Sequence, residues 1–179
     1  MRRHAAFLMF AVLIFTSISF AQQDKNKRPS PPASAQCKFS DGKSVTVDYS
    51  APSMRGRKIY GGLVPYNQVW RAGANEATTF VTTANLDVNG TSVPAGSYTL
   101  FTLPSENNWK LIISKKTGEW GIPYPGQGDD LARIDMKKET LPSPVEKFNI
   151  AFDQTGPDSC RLSMDWETTR ASVDIKEKQ

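Results

Sequence analysis

The chain has 179 residues with a formal net charge of +4, two cysteines and a single histidine, His4. Residues 22–179 therefore carry no histidine, which excludes Ser-His-Asp and Cys-His catalysis and His-based zinc or copper sites from that part of the chain. The charge excess is small and forms no basic stripe, so no nucleic-acid partner is expected.

Residues 1–21, MRRHAAFLMFAVLIFTSISFA, read as a signal peptide. Two arginines precede an apolar run, and Ser19 and Ala21 stand before a cut at Gln22. The run is short for a membrane span, so none is expected after cleavage. Cleavage removes Arg2 and Arg3 and lowers the net charge to about +2. The destination is the periplasm or the extracellular space. Residues 22–35, QQDKNKRPSPPASA, are polar and proline-rich and read as a disordered lead-in. Residues 36–179 are long enough for a single β domain with its own core.

Within that domain, CKFSDGKSVTVDYS reads as a hairpin with Asp41-Gly42 at its loop. Cys37 and Phe39 share one face, and Val45, Val47 and Tyr49 share another. Ser50–Asn75 has neither strand alternation nor a helical stripe; at most one helical turn fits, at Leu63–Arg71. Strands follow at Glu76–Thr83, Ser97–Leu103 and Trp109–Ser114, with a second hairpin signal at Asn89-Gly90. Lys115–Asp130 is a second irregular, Gly- and Pro-rich region, which Trp120 and Tyr124 are expected to pin. Four more strands are predicted at Leu131–Lys138, Glu146–Asp153, Cys160–Trp166 and Arg170–Lys176. The last shows apolar residues on one face and polar residues outward. This pattern predicts an all-β fold, an antiparallel β-sandwich of jelly-roll-like or Ig-like type, with a closed barrel as the alternative. Cys37 and Cys160 are an even pair without CxxC spacing and are expected to form one disulfide.

The segment YSAPSMRGRKIYGGLVPYNQVWRAGANEATTF, followed by VPAGSYTLFTLP and W.LIISK, resembles a bacterial secreted family known only as domain-of-unknown-function family 2911. The resemblance runs from about Asp41 to Lys176 and implies export without an assigned activity. Asn67 and Ala72 depart from the family's usual glycine and threonine. Asn67 suits a turn that needs φ > 0. Ala72 leaves no hydroxyl there for chemistry.

Arg71, Asn75 and Glu76 have two readings. Arg71 and Glu76 could grip a ligand, or they could pair with each other and pin the corner while Asn75 caps a turn. Arg55, Arg57 and Lys58 form a local cationic loop, either an anion binder or a solvated surface. Trp70, Trp109, Trp120 and Trp166 could form a sugar-stacking platform. Trp109 and Trp166 lie in alternating strands and are expected in the core, whereas Trp70 and Trp120 are loop-borne and, with Tyr124, candidate ligand contacts. Glu76, Glu119, Asp129 and Asp130 are the carboxylates available for acid–base work, but no spacing brings two together. Asp129-Asp130 reads as an exposed turn, and GQGDD does not have the spacing of an EF-hand calcium loop. Asn89-Gly-Thr91 reads as turn chemistry rather than a glycosylation site. No metal or cofactor is expected. The leading expectation is a non-catalytic module binding a small molecule, sugar or peptide; the alternative is a carboxylate-dependent hydrolase acting on glycans.

Overall fold

A computed structural model describes residues 25–178. The signal-peptide reading therefore lies outside the described residues. Nine strands account for the architecture: β1 Pro32–Lys38, β2 Ser44–Ser50, β3 Thr78–Thr82, β4 Leu86–Val88, β5 Thr91–Val93, β6 Gly96–Leu103, β7 Trp109–Ser114, β8 Asp130–Gly156 and β9 Ser159–Glu177. They lie in the order β1-β2-β3-β6-β7-β8-β9-β4-β5, with every named pairing antiparallel. The only helical turns among the described residues are two three-residue 3₁₀ turns, at Lys25–Lys27 and Gln127–Asp129. The sheet folds over itself in a sandwich-like arrangement and does not close into a barrel, so the barrel alternative falls. No helix among the described residues is long and apolar enough to cross a membrane.

The turns follow the local chemistry. At Asn89-Gly90 both residues take positive φ, 45° and 84°, as a two-residue loop between Val88 and Thr91 requires. The first hairpin differs from the simple two-residue prediction. Phe39 and Lys43 pair by a 2.8 Å backbone bond, leaving a three-residue loop that ends on Gly42 at φ 90°. Only the glycine is left-handed there, so Asp41 keeps an ordinary conformation and accepts from the Lys43 backbone N–H.

The four C-terminal strands predicted from the sequence are two long ones. β8 first pairs with β7 through Asp130–Met136, and from Lys137 onward pairs with β9. Its register against β9 slips between Thr140 and Val145, and again between Val145 and Asn149. Pro142 and Pro144 sit in the first slip, where their missing N–H groups interrupt no ladder. Across the ladder Glu167 takes φ 54°. The bulged stretch lets one strand turn the corner from the first sheet to the second, where a straight strand would leave the core open.

The inward stripes fill the core as predicted. Val45, Val47, Leu100, Leu111, Leu162 and Ile175 are among its buried side chains, as are Trp109 and Trp166. Each such side chain contributes about 1.5–3 kcal/mol of burial. The outward face of β9 is drier than the alternation implied: Ser163, Asp165 and Ser172 are buried as well. Asp165 lies under the guanidinium fork of Arg170, with donor distances of 2.7 and 2.6 Å. Cys37 and Cys160 form a disulfide with Cα atoms 6.5 Å apart, joining edge strand β1 to the start of β9. After β2 the chain runs beside the far half of β8. The Phe148 backbone N–H donates to Pro52 O, and that of Met54 to Glu146 O.

β1 begins at Pro32, inside the stretch expected to be a disordered lead-in through residue 35. Its residues pair fully with β2, Pro32 opposite Ser50. The backbone partner supplied by β2 outweighs the composition of the stretch.

Candidate functional site

The corner Trp70–Ala77 reverses the chain between Ser50 and β3, and its local conformation explains where each side chain goes. Trp70 exchanges two backbone hydrogen bonds with Thr102, at 2.8 and 2.7 Å, which fixes it on the end of β6. Ala72 and Asn75 then take φ of 51° and 58°. Thr78 Oγ1 donates to Ala72 O at 2.8 Å, and the Ala74 N–H donates to Ser50 O. The two left-handed residues send Arg71 and Glu76 to different sides of the corner.

The expected Arg71–Glu76 ion pair is therefore not formed. Glu76 faces the N-terminal segment, where Arg28 Nη1 donates to both its carboxylate oxygens at 2.9 Å and Lys25 lies at 3.4 Å. The Arg28 guanidinium, ahead of the Glu76 backbone N–H and Lys25, holds the Glu76 carboxyl down to about 2. Asn75 does not cap its own turn; its amide donates to Ser30 O at 3.0 Å. Arg55 donates to Pro29 O at 3.1 Å, and its backbone N–H reaches Glu146. Asn75, Glu76 and Arg55 thus grip the chain's own residues 25–30.

Arg71 faces the other way. Its Nη1 donates to Trp120 O at 3.0 Å, and its guanidinium carbon lies 5.5 Å from the centre of the Trp120 ring. Burial lowers its pKa. Gly121 makes this contact possible. It sits at φ 84°, and a Cβ there would stand 2.9 Å from Ala77 Cβ and 3.0 Å from Arg71 Cβ. Tyr124 anchors the same loop as expected, donating to Asp130 at 2.5 Å while Arg133 holds both. Asp130 is consequently tied down and is not the exposed turn residue that its neighbourhood suggested.

Trp70 is less available than a loop tryptophan should be. Its ring stacks on Trp166 at 5.8 Å and 19° and meets Phe148 edge-on at 5.0 Å. It is the floor of a cleft of about 330 Å³, whose lining includes Leu63, Trp70, Arg71, Ile122, Trp166 and Arg57. Arg57 turns Nε and Nη2 inward onto Met54 O and Ser53 O, at 2.9 and 2.7 Å. The cationic loop therefore spends much of its donor capacity on its own main chain. Trp120 is 52% exposed, Leu63 47% and Ile122 65%, and no other large apolar side chain among the described residues is exposed. Leu63 and Ile122 line the cleft, and Trp120 is joined to it through Arg71.

The structure thus gathers Trp70, Arg71 and Arg57 at one cleft with Trp120 beside it. It takes Asn75, Glu76 and Arg55 to the N-terminal side and gives Tyr124 a clamp of its own. Sequence reasoning missed Leu63 and Ile122, although each is a large apolar residue in a turn-rich stretch, GGLVP and WGIPYPG. It also missed Lys25 and Arg28, because no local pattern links them to Glu76, whose partner Arg28 lies 48 residues away.

Residues 30–175 match the model of a family described as Protein of unknown function (DUF2911). The chain belongs to this family. The match spans β1 to nearly the end of β9 and takes in the corner and the cleft beside Arg71, but begins after Lys25, Arg28 and Pro29. No curated protein and no solved structure matches the chain.

Proposed function

We propose that this DUF2911 member is an exported, non-catalytic ligand-binding module, working in the periplasm or outside the cell, with the cleft over Trp70 as its site. One observation carries the reading: the exposed large apolar side chains, Leu63, Trp120 and Ile122, gather around this one cleft. Exposed apolar groups scattered singly need no explanation, whereas a cluster around a concavity with a rigid aromatic floor fits a binding site. The Cys37–Cys160 disulfide and the charged, apolar start of the sequence support export.

Glycan hydrolysis draws less support. Glu76 and Asp48 line one shallow depression beside Arg28. A carboxyl held at about 2 is ionised throughout the neutral range and has no proton to give a leaving group.

The test is titration of the purified protein with a panel of small apolar and amphiphilic compounds, followed by tryptophan fluorescence and melting temperature. Saturable shifts that Ile122→Asp and Leu63→Glu abolish, with melting temperatures close to wild type, support the cleft. A panel that produces no shift, or shifts that both variants retain, removes it.

A further inference from the structure

The ligand's chemical class follows from the charge balance of the cleft, and this step rests on the cleft being the binding site. Seven arginines lie among the described residues. Arg28, Arg133, Arg161 and Arg170 each pair with a carboxylate. Arg55 and Arg57 donate to main-chain carbonyls. Arg71 has a single hydrogen bond, from Nη1 to Trp120 O, and no carboxylate partner among the described residues. Its Nε and Nη2, the edge that matches the two oxygens of a carboxylate, make no hydrogen bond there. The side chain is partly buried against Gly121 and the Trp120 ring, so solvent compensates its charge less well than at an open surface.

Most of the remaining lining is apolar, with Leu63, Val64, Trp70, Ile122 and Trp166; Ser30 also lines the cleft, and its carbonyl already accepts from the Asn75 amide. Arg57 also lines it, but Nε and Nη2 of its guanidinium are already given to Met54 O and Ser53 O. A doubly charged phosphate would meet one open fork where two are needed. A neutral ligand would leave the Arg71 fork desolvated and unmatched. We infer that the cleft takes a small amphiphile bearing one carboxylate, its head on the Nε–Nη2 edge of Arg71 and its apolar tail between Leu63, Ile122 and the Trp70 floor.

The experiment compares octanoate with 1-octanol, which share a tail and differ at the head, by calorimetric titration of wild type, Arg71→Gln and Arg71→Lys. Wild type is expected to bind octanoate at least about tenfold more tightly than octanol, as a charge-assisted bidentate pair allows. Arg71→Gln should lose that preference while keeping its affinity for octanol. Arg71→Lys should retain a weakened preference, because the charge remains without the fork. Equal binding of the two compounds by wild type, or an undiminished preference in Arg71→Gln, overturns the carboxylate class and leaves the cleft standing. Binding of neither overturns the cleft and the class together. Melting curves of both variants show that loss of binding is not loss of fold; if Arg71→Gln does not fold, an undiminished preference in Arg71→Lys overturns the fork.

Discussion

The two sides of the Trp70–Ala77 corner carry similar residues and do opposite things. On one side Glu76, Asn75 and Arg55 are bonded to Arg28, Ser30 and Pro29, so that the N-terminal segment is strapped onto the domain. On the other, Arg71 has one carbonyl, one aromatic face and a largely apolar cleft that Ser30 and Arg57 also line. The difference shows that partner satisfaction, more than residue type, separates a polar side chain that holds the fold from one left with open donors. Five residues apart, an arginine and a glutamate that look like a salt bridge in the sequence are parted by two left-handed residues.

The sharpest way to break the comparison is to remove the floor. Trp70→Ala deletes a ring packed on Trp166, Phe148 and Tyr60. It is expected to cost about 3 kcal/mol in denaturant unfolding. A loss below 1 kcal/mol would show that the cleft does not depend on that stack. Next, Gly121→Ala meets two Cβ atoms at 3.0 Å or less in a left-handed conformation, and should cost about 2 kcal/mol. Gly118→Ala, also left-handed but with nothing near its Cβ, serves as the control and should cost about 1 kcal/mol. Limited proteolysis should cut Gly121→Ala within 115–129 faster than the control, because its loop can no longer close on Arg71.

The strapped side gives a smaller effect with a defined pH dependence. The Glu76 carboxyl sits at about 2 in the folded protein against an ordinary 4.5. Its stabilisation is present above the ordinary value and fades as pH falls toward 2. The side chain is 42% exposed, so the effect should stay below about 1 kcal/mol. The stability gap between wild type and Glu76→Gln should be full at pH 6 and largely lost by pH 2. A gap as large at pH 2 as at pH 6 would refute the ion-pair account. Smallest of all, Thr102 Oγ1 on β6 is buried without a hydrogen-bond partner among the described residues. Thr102→Val removes that polar atom at nearly constant shape and should be neutral or stabilising by up to about 1 kcal/mol in thermal unfolding.

Much of the fold was legible because sheet burial writes itself into alternate residues. The stripes of β2, β7 and β9, the Asn89-Gly90 turn and the cysteine pair all needed only local spacing and compartment chemistry. Continuity of β8 through Pro142 and Pro144 was not legible, since prolines in a run ordinarily end a strand and only a bulged partner shows otherwise. At the site, Trp70, Arg71 and Trp120 could be singled out by type and place. Their division into floor, fork and rim could not.

Alternation of apolar residues, turn dipeptides and the absence of histidine from residues 22–179 determined, by sequence alone, an all-β domain barred from histidine chemistry. Tertiary structure alone decided that Glu76 belongs to Arg28 and that Arg71 is left to a cleft. The reason is physical: periodicity records which face of a strand is buried, a local property. Pairing between side chains depends on where distant segments cross and which way a left-handed turn points them.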